Sequence, residues 1–296
     1  MPEGISIQDC MTDIKNNFCL EDQKLILSAL DFAKNAHCGQ TRKSGEKFIV
    51  HPISTAKKVC KKFKDTTLTA ASLLHDVVED CEGIEIEDIY EKFGSEIGFL
   101  VDAVTKDFKS FYMYPEVSFD DKIERLIWAG LKDVRVFLLK LADRENNLET
   151  LKYLKENKQV RMAFETQAIF EPLKKILSFD KPLSLEETQK KLMNTLKRNK
   201  INSPSEFKTF LYKKSFKNIN HETFNMIYRN SASIIWRIEG IDMYKRLCTT
   251  RAFKNKIQIL SVKSNGEWLT ADFKFKSGVI TNSKKIKMSL SSFNTK

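Results

Sequence analysis

The feature that most constrains the fold is a helical period sustained from Glu21 to about Leu177. Apolar residues recur at three- and four-residue spacing through LILSALDFAKNAH, ISTAKKVCKKF, LTAASLLHDVVED, IGFLVDAVTKDF and KIERLIWAGL, and strand-like alternation is hard to find there. Stripes of this kind bury themselves helix on helix, so the expected class is mainly α. Hydrophobic residues fill 42% of the 296 positions, enough for a proper core. The period lapses between Lys106 and Asp121, where the aromatic-rich DFKSFYMYPEVSFD either covers a site or connects two helices.

The stretch FDKPLS, Phe179 to Ser184, marks a boundary. Pro182 follows a helix, and Ser184 with Glu187 gives a capping-box signature for LEETQKKLMNTLKRNK. The expected organisation is an N-terminal extension over 1–20, a helical domain over 21–180, a connecting helix over 181–200 and a smaller α+β region over 201–296. In that last region SPSEFKTFLYKK and HETFNMIYRNSASIIWRIE read as helices. The period then changes to two: KIQILSV and EWLTADFKF flank Asn265-Gly266, a strong β-hairpin signal, and a third strand is expected at GVIT or KIKMSLS.

Charge separates the two parts. Residues 1–180 carry 26 Lys and Arg against 31 Asp and Glu, whereas 181–296 carry 24 against 8, so the net +11 belongs to the C-terminal third. A basic unit with interspersed Trp236, Tyr244 and Trp268 suits RNA, DNA or another polyanion. The competing reading, a basic domain whose aromatics form its core and whose lysines keep it soluble, is preferred. There is no run of about 18 apolar residues, and the N-terminus carries acids where a signal peptide has a basic then apolar stretch. No membrane association is expected and the location is expected to be cytoplasmic. The six cysteines form no C-x-x-C pair and no zinc spacing, consistent with reduced thiols.

Three of the four histidines, His37, His51 and His75, fall in the first quarter of the chain. His75 and Asp76, in LLHDVVED, can both bind one divalent cation if their helix ends or turns toward it. Glu79 and Asp80 follow within a turn of that pair and bring acid/base groups near the ion. In LKLADRENNLETL, Asp143, Asn147 and Thr150 are spaced to present a carboxylate, an amide and a hydroxyl on one helical face. In QTRKSGEKFIVHP, Arg42, Lys43 and Ser44 precede a glycine turn and suit a phosphorylated ligand, and His51 enters the next helix at a proline. Each piece taken alone is better read as solvated polar surface.

Taken together and in order, the pieces resemble the HD-type (p)ppGpp hydrolase domain of the RelA/SpoT family and the stand-alone small alarmone hydrolases. The resemblance rests on R-K-S-G-E-x-x-I-x-H-P at Arg42–Pro52, L-L-H-D-V-V-E-D at Leu73–Asp80, V-T-K at Val104–Lys106, K-L-A-D-R-x-x-N at Lys140–Asn147 and K-x-x-R-M-A-x-E-T at Lys158–Thr166. It implies Mn²⁺ held by His51, His75, Asp76 and Asp143, with Glu79 and Asp80 helping to activate water. It further implies nucleotide contacts from Arg42, Lys43 and Ser44, and nucleoside and sugar contacts from Asn147 and Thr150. His37 matches no ligand of the family and reads as a surface or half-buried histidine. The implied activity is removal of the 3′-diphosphate from guanosine tetraphosphate or pentaphosphate (ppGpp, pppGpp), giving GDP or GTP.

Only 116 residues follow position 180, with no synthetase motif among them, so hydrolysis without synthesis is expected. The chain departs from the family at Glu145 and Asn146, where an apolar-aromatic pair is usual, and at Glu149, where Arg is common. The two added negative charges either weaken or redirect binding of an anionic substrate or face solvent, the second being preferred. The same metal site acting on NADPH or (p)ppApp remains open. So does a non-catalytic alarmone sensor working through the basic region, although intact Glu79 and Asp80 argue against it.

Overall fold

The computed structural model describes residues 7–105, 122–154, 158, 162 and 165–215, and the strand segments 257–264, 268–275 and 283–289. The aromatic loop after Lys106, the helix expected at HETFNMIYRNSASIIWRIE and the Asn265-Gly266 turn lie outside these residues. The chain divides into two compact units: Met1–Asn146 with Lys174–Lys208, and Asn147–Leu173 with Thr209–Lys296.

The first unit is helical. Its elements are α1 (Ile7–Asn17), α2 (Leu20–Ala36), α3 (Val50–Phe63), α4 (Thr66–Leu74), α5 (Val77–Asp80), α6 (Ile86–Val104), α7 (Lys122–Lys132) and α8 (Val134–Glu149). They are followed by α9 (Glu171–Leu177), α10 (Leu185–Arg198) and the start of α11 (Pro204–Ser215). The expected mainly α class is what these residues form.

Helix α4 is the centre of the packing. Every residue from Leu68 to Leu74 is buried, and the helix packs against α2, α3 and α6. A helix buried on every side from Leu68 onward must be enclosed by its neighbours, and the Thr69 and Ser72 hydroxyls within it donate to the Asp65 and Leu68 carbonyls. Asp65 starts it, accepting a hydrogen bond from the Leu68 amide at 2.6 Å and so satisfying one of the orphan donors of the first turn. Helix α1 lies against α2 and α3, burying Cys10 and Ile14, while Lys57 reaches Asp13 at 3.8 Å.

The capping box read from sequence is present in detail. Ser184 caps α10 and forms the full capping box with Glu187. Ser203 accepts from the Glu206 amide at 3.2 Å, with Pro204 opening α11. Helix α6 is interrupted at Gly94, whose φ of 84° favours a residue without a side chain.

In the second unit a 3-10 turn spans Leu151–Tyr153 and a π turn spans Thr166–Phe170. Ser215 Oγ donates to the Ala168 carbonyl at 3.3 Å. Strands β1 (Ile257–Ser264), β2 (Trp268–Phe275) and β3 (Ser283–Ser289) pair antiparallel in the order β1-β2-β3. Val262 stands opposite Ala271, and Ala271 opposite Ile286.

Phe137 anchors α8, fully buried, with its ring centroid 6.3 Å from that of Phe207. Phe137→Ala is expected to lower the unfolding free energy by about 3–5 kcal/mol through lost burial and a residual cavity. Urea denaturation should show an earlier midpoint with an unchanged slope.

Candidate metal centre

Three parts of the helical core meet at one point. His51 lies in the first turn of α3, His75 terminates α4 as its C-cap, Asp76 opens α5, and Asp143 comes from the middle of α8. The break between α4 and α5 is the turn that the His75-Asp76 pair required. It also means that Glu79 and Asp80 sit on a separate short helix and not on a continuation of α4.

His51 Nε2 lies 3.2 Å from Asp76 Oδ2 and 3.2 Å from Asp143 Oδ1. His75 Nε2 lies 3.3 Å from Asp76 Oδ1 and 3.7 Å from Asp143 Oδ1. Donors bound to a single ion at about 2.1 Å, with bond angles of about 100–120°, stand this far apart. His51, His75 and Asp143 are all buried. Among the described residues, His51, His75 and Asp76 form one group able to hold a metal ion, and Asp76, Glu79 and Asp80 form another, sharing Asp76.

Hydrogen bonding at His75 supports the fit. Its Nδ1 lies 2.9 Å from the Ser72 carbonyl, which only accepts, so Nδ1 carries the proton. Nε2 is buried and hydrogen-bonded to nothing, although it faces a carboxylate. A lone pair directed at carboxylate oxygens calls for a cation between them. Asp143 keeps a further cation, Lys140, 2.7 Å from its other oxygen.

The electrostatics are strongly coupled. Burial alone would lower the His51 pKa, but the hydrogen bonds to Asp143 and Asp76 outweigh it and raise the imidazole to about 9. Burial would raise the Asp76 pKa, but His75 and His51 hold it well below the carboxylate range. Asp143 is depressed in the same way, against burial, by Lys140 and the two histidines.

The basic residues sit on a tight turn before α3. Arg42 N donates to the Glu46 carbonyl at 2.8 Å and Gly45 N to the Arg42 carbonyl at 2.9 Å. Gly45 has a φ of 84°, which the turn requires. Lys43 is exposed, and Arg42 and Ser44 are half-buried. Asn147 lies near the end of α8. Thr150 falls just past that helix, capping the following 3-10 turn, so it does not share the helical face. Asn147 and Thr150 belong to the second unit, whereas the other expected site residues belong to the first.

The departures resolve differently from one another. Glu145 does not simply face solvent: it is half-buried, 2.8 Å from Lys174 and 3.8 Å from Lys62. Its charge is neutralised locally because α8 brings it against α3 and α9. Glu149 is exposed, as expected. Asn146 is buried and touches His51, Ser54 and Arg42, contacts that sequence reasoning missed. His37 is more enclosed than expected: it is buried, stacked on Phe48 at 4.5 Å and hydrogen-bonded to Gln40.

Residues 29–177 match the model of the HD domain family. The chain belongs to the HD domain family. The HD domain region is similar to a Vibrio cholerae protein named guanosine-3′,5′-bis(diphosphate) 3′-pyrophosphohydrolase, 37% identical over 166 residues, or 56% of this chain. It is also similar to a Myxococcus xanthus protein named GTP pyrophosphokinase, 40% identical over 156 residues, or 51% of this chain. The chain spans only 23% and 20% of those two proteins. A solved structure of a metazoan ortholog of SpoT, described as hydrolyzing ppGpp, aligns with 60% of this chain and 97% of that one. Its identity is 23% and its TM-score 0.40.

A proton on His51 Nε2 and an ion compete for the same lone pair. Because the His51 pKa is raised from 6.5 to about 9, its contribution to the stability of the metal-free protein is complete below 6.5 and disappears as pH rises through about 9. Divalent-ion affinity is expected to rise over the same interval, with release of about one proton per ion near pH 7. Titration calorimetry in buffers of different ionisation enthalpy measures that release; heats independent of buffer would contradict the assignment.

Proposed function

We propose that this protein is a Mn²⁺-dependent hydrolase that removes the 3′-diphosphate from ppGpp and pppGpp, without synthetase activity. The observation that carries the reading is the convergence of His51, His75, Asp76 and Asp143 on one point, with Glu79 and Asp80 beside Asp76. The names of the relatives supply the substrate class. One of them is named as a pyrophosphohydrolase of guanosine-3′,5′-bis(diphosphate). The other carries a GTP pyrophosphokinase name, but the chain covers a fifth of it.

The donor set of two imidazoles and two carboxylates, with no thiolate, suits a divalent first-row ion, and the family resemblance makes Mn²⁺ that ion. When bound, such an ion supplies Lewis acidity and lowers the pKa of a water. Glu79 then accepts a proton from water or orients it for attack on the phosphorus attached to the ribose 3′-oxygen, with Asp80 as its partner. The bond from that phosphorus to the 3′-oxygen breaks, leaving GDP or GTP with a free 3′-hydroxyl and releasing diphosphate. Arg42 and Lys43 offset the negative charge that the diphosphate brings, and Ser44 adds a hydrogen bond. Asn147 and Thr150 bind the nucleoside and sugar.

In this reading residues 1–20 are an N-terminal extension, 21–180 form the hydrolase, 181–200 connect, and 201–296 form a smaller α+β region. The antiparallel pairing of β1, β2 and β3 supports the last assignment. Its excess of Lys and Arg suits either a soluble basic domain with an aromatic core, the preferred reading, or a nucleic acid or other polyanion as partner. Among the described residues no helix is long and apolar enough to cross a membrane, which is compatible with a cytoplasmic location.

The test is to incubate purified protein with ppGpp, pppGpp, ppApp and NADPH, each with Mn²⁺ or EDTA, and to resolve products by anion exchange. Diphosphate released from ppGpp only with Mn²⁺ is the expected result. Phosphate from NADPH alone would reassign the substrate, and turnover of nothing would leave a sensor. Glu79→Gln is expected to cut kcat by about 10²- to 10⁴-fold, as loss of a general base does. A Glu79→Gln protein turning over at the full rate would remove Glu79 from the mechanism.

A further inference from the structure

Asn146 occupies a position where the family resemblance gave it no role, yet its side chain lies at the junction between the expected metal ligands and the basic turn. It is buried, and its amide has three neighbours. Arg42 Nη1 lies 3.2 Å from Oδ1, His51 Nδ1 is hydrogen-bonded to the same Oδ1, and Nδ2 lies 2.7 Å from Ser54 Oγ.

The chemistry of the partners fixes the protons. A guanidinium only donates, so the amide atom facing Arg42 must be the oxygen. An oxygen there accepts, so His51 Nδ1 must carry a hydrogen. When the ring is neutral, the nitrogen left to carry a lone pair for an ion is Nε2, the atom that faces Asp76 and Asp143. The amide nitrogen then donates to Ser54, one turn along α3 from His51. Asn146 thus grips α3 at two points, and one oxygen serves both a ligand imidazole and a residue of the basic turn.

We propose that Asn146 is a positioning residue, which sets the tautomer and orientation of His51 for a divalent cation and ties Arg42 to the same centre. The inference rests on the metal-centre reading above but not on the identity of the substrate. The essential feature is the acceptor oxygen and not the volume of the side chain. Leu at 146 keeps approximate size and removes the acceptor; Asp keeps an acceptor facing both His51 and Arg42, and the Ser54 hydroxyl can rotate to donate to it.

The experiment measures Mn²⁺ binding by the electron paramagnetic resonance signal of the free ion, with unfolding midpoints of the metal-free proteins alongside. Asn146→Leu is expected to weaken Mn²⁺ binding about 10- to 100-fold, the usual cost of losing the group that orients a ligand histidine. Asn146→Asp is expected to stay within a few-fold of the parent. Asn146→Leu binding Mn²⁺ as tightly as the parent overturns the proposal, and so does Asn146→Asp failing as badly as Asn146→Leu at an unchanged midpoint. A parent protein that binds no divalent ion overturns the metal-centre reading as well.

A second measurement needs no variant. In the Zn²⁺-loaded parent protein, long-range ¹H–¹⁵N spectra of the imidazoles should show His51 protonated at Nδ1. Protonation at Nε2 instead overturns the proposal even if Asn146→Leu does not fold.

Discussion

Two carboxylates and two imidazoles share a buried space at the end of a helix that has no solvent face, and the arrangement of the core follows from that crowding. Asp76 and Asp143 approach the same imidazole nitrogens at 3.2–3.7 Å. Enclosed carboxylates this close require positive charge nearby, because burial penalises each ion and the two repel. The polypeptide supplies part of it through His51 and Lys140. Helix α4 contributes in another way: its C-terminal carbonyls turn negative potential toward His75, a favourable place for a cation, and the Ser72 carbonyl holds the ring.

The requirement explains why the candidate ligands come from three parts of the chain. A single helix offers ligands only along one face, whereas α3, the α4–α5 break and α8 surround a point. Full burial of Leu68–Leu74 fixes α4 among α2, α3 and α6, so the position of His75 is set by packing and not by local hydrogen bonding alone. The basic groups follow the opposite logic. Lys43 is exposed on a turn closed by Gly45, suited to a ligand that arrives from solvent.

Much of this was legible because its signals are local. Helical period and the Ser184-Glu187 box each depend on residues within a few positions of one another. His75 and Asp76 stood out because histidine is rare in this chain and the pair lies in an apolar segment, while His51 and Asp143, which the fold brings beside that pair, came through the motifs at Arg42–Pro52 and Lys140–Asn147. Asn146 was not legible. An uncharged amide carries no signal of its own, and its role appears only when α8 lies against α3. Glu145 misled for the same reason: the lysines that neutralise it, Lys62 and Lys174, lie far away in sequence. Neither Gly nor Pro marks the helix break at His75, so the chain gives no local warning of it.

Under the proposed function, the charge of the centre also bears on how an acidic site would accept a polyanionic ligand. With the His51 imidazole raised to about 9, the metal-free centre at neutral pH carries a proton where a divalent ion would bind. Loading exchanges one positive charge for two, so the centre gains a single charge and not a pair. The imidazolium therefore acts as a partial substitute for the ion and keeps Asp76 and Asp143 compatible before the ion arrives. Arg42 reaches Asn146, the same side chain that orients His51. Some of the conformational freedom of its guanidinium is thereby lost before any phosphate is bound, which lowers the entropic cost of a charge-assisted contact.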